Sequence, residues 1–192
     1  MSFFKRFFGS TRHNDPVAWE LYEAVVQQAR APAFYRNFGV PDTLDGRFDL
    51  IVLHMFLILH RIKDSTADQS TLGQNLFDAM VSDLDRSLRE MGAGDLGVAP
   101  RVKKMVKAFY GRVSAYQAGL AARDPAVLDD ALRRNLFGTV AAPLPEAIKA
   151  VHAYMRREVE GLNAQDIDDI RQGRIAFGAP PLAGTGADDS GA

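Results

Sequence analysis

The chain has 192 residues, 47% of them hydrophobic and 24% charged, with 23 Lys and Arg against 24 Asp and Glu. That is enough apolar material for one sizeable core; it excludes wholesale disorder and lacks the basic excess of a dedicated nucleic-acid binder. The absence of cysteine removes disulfides, thiolate metal sites and cysteine nucleophiles, and 27 Ala and 18 Leu against 14 Val and 7 Ile favour helix over sheet.

Taken in chain order, residues 1–13 read as an amphipathic arm. Phe3, Phe4, Phe7 and Phe8 share one face at helical spacing, with Lys5 and Arg6 turned away. Such an arm either lies in a membrane surface or docks on the protein's own core. A helical domain over 14–177 follows. Asp15 before Pro16 caps a helix to about Arg30, and Phe34 to Phe38 reads as a short apolar turn. The capping-rich turn Val40 to Asp45 leads into a long helix from about Gly46 to Lys63. Its Leu50–Leu59 stretch is too short to span a bilayer and predicts a central buried helix.

Further helices are expected over Thr71–Met91, Arg101–Ala122, from Asp124-Pro125 to about Leu136, from Pro145 to Gly161, and from an Asn163 cap to Gly173. These make an all-α chain, a single compact domain of about seven helices around the central apolar one. Residues 178–192, rich in Gly, Ala and Pro, read as a disordered tail.

Chemical motifs are sparse. There is no Gly-rich phosphate loop after a strand, no Glu-x-x-His, no His-Glu-x-x-His and no Gly-x-Ser-x-Gly elbow. Neither catalysis, a cofactor nor a bound metal is expected.

What remains are polar residues on apolar helices. Arg47, His54 and Arg61 stand seven apart on the central helix, so they form one stripe. If that helix is surrounded, its cations need partners, and Asp78 and Asp85 on the next helix, with Gln74, Ser82, Arg89 and Asp95 nearby, are the candidates. The stripe is then either an ion-pair network fixing helix register or a polar seam beside a partner groove. His54 itself reads as a satisfied core histidine. Lys103, Lys104 and Lys107 lie opposite the apolar arc of their helix, either a solvated face or a contact for anionic lipid or RNA. Gly111 between Tyr110 and Arg112 points to close helix packing.

Several stretches in this order resemble the ubiquinol–cytochrome c chaperone family, assembly factors for the respiratory ubiquinol–cytochrome c reductase. They are Val40-Pro-Asp-Thr-Leu-Asp-Gly-Arg-Phe-Asp49, Gln74-x-x-Phe-Asp-x-Met80, Asp83-x-Asp-x-x-Leu-Arg-Glu-Met-Gly-x-Gly-Asp95, Val102-Lys-Lys-Met105, Phe109-Tyr-Gly-Arg112 and Arg134-Asn-Leu136. Together they span about Leu21 to Gly161. The resemblance implies an all-helical, cofactor-free chaperone that binds newly made cytochrome b at a membrane surface, in mitochondrial relatives with a second assembly factor and near the ribosomal tunnel exit. With no presequence, the chain looks like the compact bacterial form, which would place it in the cytoplasm, peripheral at the inner face of the cytoplasmic membrane. Asp42, Arg47, Asp78, Arg89, Asp95 and Arg112 carry over as motif positions, either structural or at a partner surface.

Three functions are therefore distinguished. An assembly chaperone needs an apolar groove for its client, with Met80, Met91 and Met105 as adaptable liners. A lipid- or quinone-binding module needs an enclosed apolar pocket. An RNA- or ribosome-associated adaptor would use the Lys103, Lys104 and Lys107 face.

Overall fold

The computed structural model describes residues 15–63, 67–92 and 94–180, the side chains of 67–70, 95 and 96 excepted. The arm with Phe3, Phe4, Phe7 and Phe8, the Asp95 side chain, and the tail beyond 180 lie outside the described residues.

Among these residues there are eight helices and no strand. They are α1 (Pro16–Ala29), α2 (Pro32–Arg36), α3 (Leu44–Ile62), α4 (Ala67–Glu90), α5 (Asp95–Ala121), α6 (Ala126–Asn135), α7 (Pro145–Ala164) and α8 (Ile167–Arg171). The expected caps act as such: Asp15 accepts from the Val17 amide at 3.0 Å, and Thr43 from the Gly46 amide at 3.1 Å. Gly46 has no room for a side chain, because a Cβ there would run into the Pro41 carbonyl oxygen.

α3 is the centre, packed by α1, α4, α5 and α7. Phe48, Leu50, Val52, Leu53, Met55, Phe56, Leu57 and Ile58 are all nearly inaccessible to solvent, as an all-round apolar helix must be. No helix among the described residues is long and apolar enough to cross a membrane.

The differences from the sequence reading have local causes. Phe34 is fully buried, which closes the expected turn into the one-turn helix α2. α5 starts at Asp95, six residues early, because the fully buried Val98 anchors its first turn ahead of Pro100. α7 runs past Gly161 to bury Leu162, so Asp166, not Asn163, caps α8. Gly111 is not a packing glycine: nothing lies within 4 Å of where its Cβ would be. The close approach is instead at Gly119, where a Cβ would sit 2.8 Å from Leu128 Cα, so α5 and α6 cross almost backbone to backbone there.

After α8 the chain returns along α7. Gln165 holds Ala176 by both backbone groups at 2.7 and 2.9 Å, and buried Glu158 accepts from the Gly178 amide at 2.7 Å. Gln28 donates to the Gly178 carbonyl at 2.7 Å, so the segment read as free from residue 178 is still tied down at Gly178.

Candidate functional site

The cation stripe on α3 does not become a network with α4. A helical wheel gives angle but not depth along the axis, and the three residues sit at three depths. Arg47, in the first turn, pairs with Asp42 at 2.7 Å with both side chains 58% exposed, so the expected buried partner for Arg47 does not exist. His54, at mid-helix, is completely buried. Its Nδ1–H donates to the Leu50 carbonyl at 2.8 Å, and Nε2 accepts from the Tyr154 hydroxyl at 2.8 Å, which in turn accepts from Gln28 at 2.9 Å. Burial holds this imidazole neutral, its pKa down to about 4. It is the satisfied core histidine expected. Arg61, in the last turn, donates to the carbonyls of Leu162 and Gln165 at 2.9 and 3.1 Å, a C-terminal clasp onto α7.

The α4 carboxylates are used elsewhere. Asp78 accepts from Gln74 at 2.8 Å, Asp85 pairs with Arg89 at 2.6 Å along the same helix, and Asp83 accepts from Tyr22 of α1 at 2.9 Å. Tyr22 is the cross-helix partner there, and a sequence search for opposite charges does not find it.

One partly buried ion pair between helices is Asp49–Arg112. Asp49 of α3 is 7% exposed, and Arg112 Nη2 of α5 lies 2.7 Å from its Oδ1. The guanidinium also lies over the Phe48 ring at 5.7 Å and reaches the Asn135 carbonyl at 3.4 Å, so it links α3, α5 and the end of α6. The pair is incompletely satisfied. Asp49 Oδ1 has no aligned hydrogen-bond donor among the described residues, and neither does the fully buried Tyr116 hydroxyl have a partner there. Burial pushes the Asp49 carboxyl up to about 7, although Arg112 pulls the other way.

This pair forms one wall of an open groove of about 680 Å³ between the start of α3, the first half of α5 and the end of α6. Its floor is Phe48, Leu88, Met105 and Ala108, and Leu44 stands at its edge, 42% exposed. Four cations, Arg101, Lys104, Arg112 and Arg134, face it against two carboxylates, Asp45 and Asp49. Stretches far apart in sequence thus converge on one place: 43–49, Lys104 with Met105, Arg112, and Arg134 with Asn135. The groove can receive an apolar segment with an anionic partner. No group of three or more His, Asp or Glu among the described residues is arranged to hold a metal.

Of the residues singled out from sequence, Arg112 and Lys104 reach the groove. Arg47, Asp42, Asp78 and Arg89 do not line it, and Lys103 and Lys107 are exposed on the back of α5. Met105 lines it, while Met80 is plain core and Met91 is 56% exposed at the end of α4. In the sequence Asp49 and Arg134 stand out only as ends of motif stretches and Arg101 only as a helix start, none with a role in a site. The signal available for Asp49 is an acid directly before Leu50–Leu59, a stretch apolar except for His54.

The profile of the family described as "Ubiquinol-cytochrome C chaperone" matches residues 36–177. Over 153 residues, 80% of this chain, the sequence is 24% identical to ubiquinol-cytochrome-c reductase complex assembly factor 1 of Xenopus laevis, covering 76% of that protein. It is 22% identical to the mouse and human proteins of the same name, of which it spans about half. A crystal structure of the Cbp3 homolog from Brucella abortus superposes with a TM-score of 0.75 at 38% identity, over 88% of this chain and 92% of that one. The fold, the ordered motif stretches and these similarities agree: this chain belongs to the ubiquinol–cytochrome c chaperone family.

Proposed function

We propose that this protein is a non-enzymatic chaperone that holds newly made cytochrome b during assembly of ubiquinol–cytochrome c reductase, and that the groove beside Asp49 and Arg112 is where it does so. The observation that carries this reading is the convergence of five separated family stretches, the one that carries Leu88 among them, on one open groove with an apolar floor and a cationic rim. A client destined for a membrane is apolar, and a surface that must release it is better served by an open groove than by a closed cavity. The same openness disfavours the lipid or quinone module. An RNA adaptor built on Lys103, Lys104 and Lys107 would need those three on one surface apart from the groove, and Lys104 faces into it. Peripheral membrane contact through Phe3, Phe4, Phe7 and Phe8, and a second assembly factor, belong to the same proposal.

The test is co-purification of cytochrome b from detergent-solubilised membranes. Ala108→Trp, which fills the groove floor, is expected to lower recovery at least fivefold at unchanged melting temperature. Lys149→Glu, on the exposed side of α7, should leave recovery unchanged. Full recovery with a folded Ala108→Trp protein would remove the groove from the reading.

A further inference from the structure

Resting on the groove as the client-holding surface, we propose that its occupant is an amphipathic helix lying along α5, with an apolar middle and two carboxylates about eleven residues apart on the bound face.

The shape of the wall comes first. Arg101, Lys104, Met105, Ala108 and Arg112 all line the groove and follow the i, i+3, i+4, i+7, i+11 spacing of a single helix face. At about 100° per residue they fall within an arc of about 100°, the width of a seam made for another helix. Gly111 lies about 20° outside that arc, and no atom beyond its own stretch of helix comes within 4 Å of where its Cβ would be. Intramolecular packing therefore gives no reason for a glycine in mid-helix, whereas a helix approaching next to Ala108 does.

The charges then fix what such a helix carries. Arg101 and Lys104 stand at one end of the seam, and Arg112 at the other, about 16 Å along the helix. Arg112 is already matched by Asp49, but Arg134 also lines the groove at this end, one residue before Asn135, whose carbonyl Arg112 reaches. None of Arg101, Lys104 and Arg134 makes an ion pair with a described residue. The middle, over Phe48, Met105 and Ala108, is apolar. Two cationic ends with an apolar centre match a helix with two separated acids. A phospholipid, with one anionic headgroup, would call for the cations to be gathered at one place. Asp45 on the opposite wall repels a carboxylate on that side, so both acids face α5 and α6.

The test uses the full chain in native membranes, with a photo-reactive benzoylphenylalanine placed at the exposed Leu44 on the groove edge or, separately, at the exposed Thr139 just beyond α6. Adducts are mapped by mass spectrometry. Both positions are expected to mark one helical segment with Asp or Glu about eleven residues apart around an apolar stretch. Arg101→Glu should lower the adduct yield at least fivefold, and exchanging the facing acid of that segment for Lys should restore at least half of it. A client segment without that pattern, or a yield indifferent to Arg101→Glu, overturns this proposal and leaves the groove as the client site. Adducts to lipid alone, or none from either position, overturn both.

Discussion

Asp49 and His54 stand five residues apart on α3, both nearly inaccessible to solvent, and the protein treats them in opposite ways. Around His54 each polar atom has a partner, from Gln28 through Tyr154 and the imidazole to the Leu50 carbonyl, inside a shell that includes Phe34 and Phe177. Around Asp49 the hydrogen bonding is left incomplete, the buried Tyr116 hydroxyl is unpaired as well, and a groove opens beside the carboxylate. A fully satisfied buried network rigidifies a core, whereas a half-satisfied one is costly unless it is used. The difference separates the part of α3 that is closed into the core from the part that borders the groove.

The largest expected effect comes from removing the counter-charge on the incomplete side. Arg112→Ala strands a buried carboxylate, an event that costs about 3–5 kcal/mol when the charge cannot escape. Asp49 can escape by taking a proton, since its carboxyl already stands at about 7. The loss should therefore approach that range at pH 8 and shrink at pH 5, read as denaturant midpoints at the two values. Arg112→Ala combined with Asp49→Asn should recover most of the pH 8 loss. An equal loss at both pH values would mean that Arg112 acts by packing on Phe48 rather than by charge.

The fold was legible because its determinants are local. Asp15 before Pro16, Thr43 before Gly46, and the apolar run from Leu50 announce α1 and α3 in windows of a few residues. The groove was not, because it is made of residues brought together across long stretches of chain: Asp49 with Arg112, and Arg112 with the Asn135 carbonyl. Sequence spacing placed Arg47 and His54 on one stripe correctly. It could not say that one lies at the rim and the other at the centre, and that depth decides whether a cation needs a buried partner. Gly111 misled for a related reason: a glycine marks a close approach only when something is there, and at this position the protein supplies nothing.

The two residues can also be set against each other by pH. Asp49 has a folded pKa raised to about 7 from 3.8, so its contribution to stability is fully present below about pH 4 and is lost as pH rises through 7. His54 has a folded pKa lowered to about 4 from 6.5, so its contribution is present above 6.5 and is lost as pH falls through 4. Between pH 4.5 and 6.5 the two slopes oppose. Asp49→Asn should unmask the histidine, giving a stability that rises with pH more steeply than that of the unsubstituted protein, by up to about 1.4 kcal/mol per pH unit. Parallel profiles from denaturant melts at pH 4.5, 5.5 and 6.5 would show that Asp49 is ionised throughout and that its pair with Arg112 outweighs its burial.

The smallest effect is expected at Arg47, which shares the α3 stripe with His54 and sits two residues from Asp49, yet belongs to neither environment. Its guanidinium is 58% exposed and meets an equally exposed Asp42 across the α3 N-terminus. Exposed pairs gain little, since water solvates both partners nearly as well apart and ordering two side chains opposes the attraction. Nor does Asp42 hold the helix start, because Thr43 is the cap and Gly46 donates to it. Arg47→Ala should therefore leave the melting temperature unchanged within error at both low and high salt. If it also leaves cytochrome b recovery unchanged, partner contact on this side is confined to the groove between Asp45 and Arg112. A loss of recovery at constant melting temperature would extend the contact surface outward over the start of α3. A fall in melting temperature would contradict the surface placement of Arg47 and return it to the buried side of the comparison.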